Sequence, residues 1–482
     1  MERVPAPSNR RVSRFAAQLT VLIALVAPAL PTAAGATPAP VDQRVLDQLA
    51  STGKATVWVM LRQRADLSGA GALADWTARG AYVVERLQAT ARPSQRGVVR
   101  FLRERGISYR SFWVVNAIRA TLDRPAVGRL AAMAEVSRIR ADGSIRVETP
   151  AAGPTRVATP LATGWNIDRI GAPEVWSTFG DRGQGIVVAN IDTGVQFNHP
   201  ALVRQYRGNI GSGFNHNYNW FDPSHACPNP APCDNVPHGT HTMGIMVGED
   251  AAKTNQIGVA PRARWIAAKG CENVSCSDFA LAASGQWMLA PTNLAGGNPR
   301  PGLRPQVVNN SWGGGGGDPF YFDIVRAWVA SGIFPVFSPG SSGPGCASVG
   351  SPGDYPLSYA AGAFDENDHI ASFSSRGPSA FGGDIKPNIA APGVDIRSSV
   401  PGGYAVYSGT SMSIPHVAGT VALMWSANPS LIGRVGTTRT LLDDSAVDVS
   451  DLSCGGTADD NNVWGEGRLD AFAAVEAALG SG

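Results

Sequence analysis

The strongest constraint on the fold is an apolar run that ends in an acid: Gly185-Ile-Val-Val-Ala-Asn-Ile191, followed by Asp192-Thr-Gly194. A nearly continuous apolar strand has no face to offer to water. It belongs inside a parallel sheet covered on both sides. Ala263-Arg-Trp-Ile-Ala-Ala-Lys269, Val307-Val-Asn309, Ile333-Phe-Pro-Val-Phe337 and Tyr359-Ala-Ala-Gly-Ala-Phe364 have the same character. Helical stretches separate several of them: His238 to Val247, Asp278 to Leu289, Asp323 to Ser331 and Ser411 to Ser426. Strands alternating with helices predict a doubly wound, mostly parallel α/β sheet with helices on both faces. Sites in such sheets form at the carboxyl ends of strands, where the pattern puts Asp192 and Asn309.

The first third of the chain reads differently. Ala55-Thr-Val-Trp-Val-Met-Leu61 has strand character, Ala81 to Gly106 is helical with an interruption at Pro93, and Phe112 to Leu122 is a strand run broken in two. A helix from Pro125 to Glu135 and strands at Ser137–Asp142 and Ile145–Glu148 complete a small α+β unit of ferredoxin-like type. Thr149 to Thr163 is rich in Pro, Ala, Thr and Gly, a linker composition open to cleavage. At the start, Arg3, Arg10, Arg11 and Arg14 precede an apolar stretch, Phe15 to Leu30, and a small-x-small site, Ala34-Gly-Ala36. That is the pattern of a removable secretory leader rather than of an anchor, because the apolar run is short for a membrane span. The chain therefore divides into a leader at 1–36, a small domain at 37–155 and the α/β domain at 156–482, with the mature protein secreted and free of the membrane.

Net charge is +2, which gives no reason to expect a nucleic-acid partner. Six cysteines in an exported chain suggest disulfides. Cys227/Cys233 and Cys271/Cys276 are close enough to close small loops, leaving Cys346/Cys454 as a long-range pair. Six buried free thiols are the reading if the chain is not exported.

The chemistry gathers on three elements. Tyr407-Ser-Gly-Thr-Ser-Met-Ser-Ile-Pro-His416 reads as a turn that delivers Ser411 to the first turn of a helix, where N–H groups and the dipole favour negative charge. His238 opens His238-Gly-Thr-His-Thr-Met-Gly244, and Asp192 ends its strand. Serine becomes a nucleophile when an imidazole takes its proton, and a carboxylate fixes that imidazole. Singly each has a plain explanation: a cap on a buried helix, a helix-opening histidine, a turn aspartate.

Together, Ile191-Asp-Thr-Gly-Val195, the histidine segment, Gly409-Thr-Ser-Met412 and Pro415-His-Val-Ala-Gly419 resemble the motifs of the subtilisin-like serine peptidases, the subtilases, in the order Asp, His, Ser. Val308-Asn-Asn-Ser-Trp-Gly-Gly314 and Lys386-Pro-Asn-Ile-Ala-Ala-Pro-Gly-Val394 resemble further family segments. Trp165–Trp176 and Asn219-Trp-Phe-Asp222 look most like the bacillopeptidase F-like branch. The resemblance implies a secreted, monomeric serine endopeptidase acting on proteins or peptides through an acyl-enzyme, with Ser411 as nucleophile, His238 as base and Asp192 as its orienting acid. It implies that the small domain is an intramolecular chaperone and inhibitor removed by self-cleavage, so the chain's own propeptide is a partner. It also implies that Ser311, Trp312 and Gly313 line one side of the cleft and Ser338 and Gly340 the other, with Gly350 near the floor. Glycine walls leave room for a sizeable apolar P1 side chain, so broad specificity is expected.

The pattern departs at Ser338-Pro-Gly-Ser-Ser-Gly-Pro344. Ser341 stands where the resemblance expects an asparagine amide in the oxyanion hole. A hydroxyl falls short of an amide by ~1 Å unless the loop moves or a water bridges. Losing one such donor costs about 10²–10³ in kcat, or ~3–4 kcal/mol, a magnitude that itself comes from a subtilisin. A weakly active or inactive binding protein on this fold is therefore the alternative. Pro237, before His238, and Ser413-Ile414, after the nucleophile's Met412, are smaller departures. Two other chemistries fit worse. Asp192-Thr-Gly194 has no second copy to make an aspartic peptidase, and His238 and His241 are spaced i, i+3 rather than i, i+4 as in a zinc peptidase. No cofactor is required for catalysis. A structural calcium ion suits the oxygens of Asp365-Glu-Asn-Asp368 and Asp459-Asp-Asn-Asn462, for which solvated acidic loops are the preferred reading. His199 and His416 read as structural.

Overall fold

The amino-terminal layer begins with α1 (Gln43–Thr52), which buries Val45 and Leu49 and stops at Gly53 in the left-handed region, φ +72°. This is a computed structural model describing residues 37–147, 151–152 and 163–481; the leader read at 1–36 and most of the linker lie outside the described residues. Strand β1 (Lys54–Leu61) follows. Its period of two sends Val57, Val59 and Leu61 into one core and Trp58 into another. Helix α2 (Trp76–Ser94) starts five residues before the sequence reading because Asp75 caps it, its Oδ1 accepting from the Ala78 N–H at 2.7 Å. Pro93 falls in its last turn, and α3 (Arg96–Glu104) continues beyond it. Then come β2 (Tyr109–Phe112), β3 (Ala117–Asp123), α4 (Arg124–Ala131) and β4 (Val136–Ala141). The antiparallel sheet order β2-β3-β1-β4 is that of a βαββαβ ferredoxin-like unit. The sequence reading put the next strand in this unit as well. The structure does not: β5 (Ser144–Arg146) leaves the sheet, and β6 (Ala151–Ala152) lies further on.

Helices α5 (Trp165–Arg169) and α6 (Ala172–Thr178) lead into β7 (Val187–Asp192). The short β8 (Trp220–Phe221), α7 (His238–Val247), β9 (Arg264–Lys269), β10 (Ser275–Ser277) and α8 (Asp278–Leu289) follow. Next are β11 (Val307–Asn310), α9 (Phe322–Ser331), β12 (Phe334–Phe337), β13 (Tyr359–Phe364) and β14 (Ile389–Pro392). The hairpin β15 (Ile396–Val400) and β16 (Gly403–Ser408) feeds α10 (Thr410–Ala427), then α11 (Val435–Asp444) and α12 (Ala471–Gly480). The seven-stranded sheet runs β14-β13-β12-β11-β7-β9-β8, every pair parallel. Its order turns back at β7, so a crevice opens beyond the carboxyl ends of β7 and β11. Asp443 and Asp444 close α11 at its carboxyl end.

One core cluster joins a face of this sheet to α7, α10 and α12; the other joins the opposite face to α8, α9 and the amino-terminal layer. At that second seam Trp58 packs on Phe112 and Phe320. Gln286 Oε1 accepts from the N–H groups of Trp113 (2.9 Å) and Val114 (3.3 Å), and Arg140 bridges Asp278 and Asp318. Three disulfides, Cys227–Cys233, Cys271–Cys276 and Cys346–Cys454, match the pairing suggested by proximity.

Candidate active site

Asp192 ends β7 fully buried, and its Oδ1 accepts from the Thr193 N–H at 2.7 Å and lies 2.8 Å from His238 Nδ1. Thr242 Oγ1 donates to the other oxygen at 3.3 Å. His238 is the first residue of α7, and close backbone packing sets its position. A Cβ on Gly239 would overlap Gly194 O, and Gly194 adopts φ +111° where a side chain would overlap Cys233 O. Asn190 Nδ2, two residues before Asp192 on the same strand, donates to Gly239 O at 2.9 Å and so ties the start of α7 to the sheet.

Ser411 opens α10, whose residues Thr410 to Trp425 are all buried. The preceding Gly409, φ +157°, turns the chain from β16 into the helix. A reciprocal pair fastens the serine to the end of β11: Ser411 Oγ donates to Ser311 O at 3.2 Å, and Ser311 Oγ donates to Ser411 O at 2.8 Å. Chemically this is a serine at a helix amino terminus in the same crevice as a buried, carboxylate-bound imidazole. A carboxylate on Nδ1 leaves Nε2 as the basic nitrogen.

The other sequence-predicted residues come together around these three. Ser341 Oγ lies 3.3 Å from Thr410 Oγ1 and accepts from the Thr410 N–H at 3.4 Å, directly before Ser411. Ser338 Oγ is 2.7 Å from Thr410 Oγ1 and accepts from the Gly340 N–H at 3.2 Å. A Cβ on Gly313 would sit 3.3 Å from Ser351 O and 3.8 Å from Ser338 O, and one on Gly350 would overlap Gly314 O. Those two loops therefore approach as bare backbone. Trp312 is buried, donates from its indole to Ile191 O at 2.8 Å, and lines a pocket of about 290 Å³ with Leu281, Tyr321 and Gly314. Ile145 of β5 closes one side of that pocket, its Cγ2 2.9 Å from where a Gly314 Cβ would be.

Strand β5 lies antiparallel on β10, with Ile145 opposite Cys276, and the Val147 N–H donates to Val274 O at 2.9 Å. Ala151 and Ala152 pair with Ser408 and Tyr407 of β16, just ahead of Ser411. Val147 is thus held beside β10 and Ala151 beside β16.

Sequence reasoning missed a buried support beneath the pair. Asp234 accepts from Thr193 Oγ1 (2.8 Å), the Val236 N–H (3.2 Å), the Thr240 N–H (2.8 Å) and Thr240 Oγ1 (2.6 Å). Burial pushes its carboxyl up to about 6, against those hydrogen bonds. Lys269, opposite Asp192 in the β7–β9 ladder, donates to Thr193 O and to Asn235 Oδ1 (2.6 Å). Burial pushes its ammonium below the ordinary range, against the pull of Asp234, Asp222 and Asp192. The available signals were an acid four residues before His238 and a lysine ending an apolar strand.

His241 stacks on Tyr407, with Nε2 3.1 Å from Ile396 O, and burial drives it down to about 3. His416 donates to Met412 O, faces Asn166, and is held near 4 by burial. His199 Nε2 is 2.9 Å from Gly403 O. Among the acidic loops, Asp365 Oδ1 accepts from the N–H groups of Asn367 and His369, and Asp368 is ion-paired with Arg169 and Arg468. Among the described residues no cluster of three or more His, Cys, Asp or Glu side chains is arranged to hold a metal ion.

Residues 183–470 match the subtilase family. Bacillopeptidase F of Bacillus subtilis (strain 168) is 40% identical over 418 residues, 82% of this chain and 28% of that protein. Subtilisin E of Bacillus subtilis (strain 168) is 32% identical over 330 residues, 67% of this chain and 73% of that protein. Subtilisin Savinase of Lederbergia lenta is 34% identical over 276 residues, 55% of this chain and 85% of that protein. The chain thus spans little more than a quarter of Bacillopeptidase F and most of the length of the two subtilisins.

Proposed function

We propose that this chain, which belongs to the subtilase family of serine peptidases, is a secreted endopeptidase in which Ser411, His238 and Asp192 act as nucleophile, base and orienting acid. The observation that carries the reading is the buried 2.8 Å contact between Asp192 Oδ1 and His238 Nδ1 beside a serine at the start of α10. In this reading His238 takes the Ser411 proton as Oγ attacks the scissile carbonyl, then gives it to the leaving amine. Asp192 stabilises the imidazolium between the two transfers. The Ser411 N–H and Ser341 Oγ face the developing oxyanion. No cofactor enters the chemistry, and structural calcium is no part of it. Gly313, Gly340 and Gly350 keep the cleft walls thin, in line with broad specificity and an apolar P1 side chain.

Residues 37–155 are read as a propeptide that the enzyme removes itself, after the leader at 1–36 has been cleaved on export. Support comes from the described residues flanking the linker: Val147 is held on the β10 side of the crevice and Ala151 on β16. Three disulfides support an oxidising destination outside the cell. The test is turnover of a peptide substrate by Ser411→Ala. Loss to background is expected, and normal turnover would overturn the assignment. The rival reading, a weakly active or inactive binding protein, rests on Ser341 alone, and the kcat of Ser341→Asn beside wild type decides it.

A further inference from the structure

Strand β10 is three residues long, and among the described residues its one ladder partner is β5. The central sheet does not hold it extended. Two features of its own turn do. Cys276, in the middle of β10 and opposite Ile145, is bridged to Cys271, and both are fully buried. The Cys271 N–H donates to Asp192 O at 3.1 Å, so the bridge is fastened to the end of β7. Glu272 closes the same turn. Its N–H donates to Ser275 O at 3.0 Å, its Oε1 accepts from Ser277 Oγ (2.5 Å) and Ser224 Oγ (2.9 Å), and its Oε2 accepts from the Ser277 N–H (3.1 Å). Asn235 Nδ2, in the loop leading to His238, donates to Glu272 O at 2.9 Å.

We propose that the Cys271–Cys276 bridge and Glu272 form a brace that keeps β10 extended when β5 is absent. The acyl side of a peptide substrate then docks on a preformed edge rather than one it must order. Cys271, Glu272 and Cys276 are positioning residues in this account. It rests on the reading that the chain is an active peptidase whose crevice β5 occupies. An unbraced three-residue edge visits many backbone conformations, and binding must select the extended one. If that conformer is populated about a tenth of the time, apparent affinity falls about tenfold. The penalty is the same in the bound complex and the transition state, so it raises KM and leaves kcat in place. General damage to the site would lower kcat instead.

The test uses the processed enzyme and two peptide substrates with one common scissile bond. One starts two residues before that bond, and the other is extended by two more residues on the side that would pair with β10. In Cys271→Ala/Cys276→Ala, which leaves no lone thiol, the ratio of kcat/KM for the long peptide over the short one should fall about tenfold, carried by KM. Glu272→Gln should move the ratio in the same direction by about threefold. An unchanged ratio, or equal loss of kcat on both peptides, overturns the brace. If the double cysteine variant does not fold, Glu272→Gln decides alone by the same ratio. A wild type that cleaves neither peptide overturns the peptidase reading and the brace with it, whereas an active wild type with unmoved ratios overturns the brace only.

Discussion

Once the junction is cut, noncovalent contacts alone would keep residues 37–147 on the large unit, and a clamp at the amino end of α2 supplies a set of them far from Ser411. Arg304, buried in the structure, donates from Nη2 to Trp76 O at 2.6 Å and to Ser331 O at 2.7 Å, and its guanidinium carbon lies 3.6 Å from the Trp76 ring centroid. Arg79 reaches the carboxyl end of α9, donating to Ala330 O (2.7 Å) and Val329 O (3.2 Å), and also to Gly433 O (2.9 Å). Gly332 permits the approach, since a Cβ there would stand 3.1 Å from the Trp76 ring. Trp76→Ala removes a desolvated cation–π contact worth about 2 kcal/mol. Arg79→Ala removes charged hydrogen bonds worth about 1.5–3 kcal/mol, with water taking up part of the loss. Because the two side chains share one patch, they do not add fully, and about 3–4 kcal/mol is a fair sum. That is two to three powers of ten in affinity. The assay is retention of the cut fragment by native mass spectrometry after dilution, with return of peptidase activity followed in parallel. Release should be about 100- to 1,000-fold faster in the double variant. Release within about threefold of wild type would refute the reasoning and leave the strand in the crevice and the seam at Trp58, Gln286 and Arg140 as the anchors.

Two other expectations are independent of the clamp. Ser341→Asn should raise kcat about 10- to 100-fold, because a longer amide reaches where the hydroxyl stops short; an unchanged kcat would mean that the present loop already supplies the bond. His416, held to about 4 by burial, stays neutral in the folded state, while in the unfolded chain it takes up a proton below about 6.5. Its stabilising contribution is full above that pH and is lost as the pH falls. Relative to His416→Gln, both in the Ser411→Ala background, the chain should lose about 2 kcal/mol between pH 7 and pH 5 in denaturant titrations. A difference independent of pH would contradict the burial argument.

Much of the large sheet was legible because strands buried on both faces are largely apolar, as β7, β9, β11, β12 and β13 are apart from Asn190 and Asp192, Arg264 and Lys269, and Asn309 and Asn310. Helices α7 and α8 were found to the residue. The three candidate residues stood out by their flanks, since Gly194, Gly239 and Gly409 mark backbone that must approach closely or turn sharply. What failed to show was partnership. The alternating character of Ile145 and Val147 announced a strand but not that it would leave its own sheet for β10. The hairpin β15–β16 and strand β14 were missed, short segments set among turn residues. Asp234 and Lys269 were passed over because a lone acid in a loop and a strand-end lysine normally face water; only the tertiary fold buries them. Arg304 lies in a Pro-rich loop and gave no sign of the tryptophan it meets 228 residues away.

The central claim is that Ser411 performs peptide-bond chemistry, first on its own chain. The most direct measurement is intact mass and amino-terminal sequence of the protein recovered from a host without extracellular proteases, wild type beside Ser411→Ala. The account predicts that the wild type is cut between Val147 and Thr163 and that Ser411→Ala keeps the whole segment. The same amino terminus for both proteins, whether cut or uncut, would contradict it.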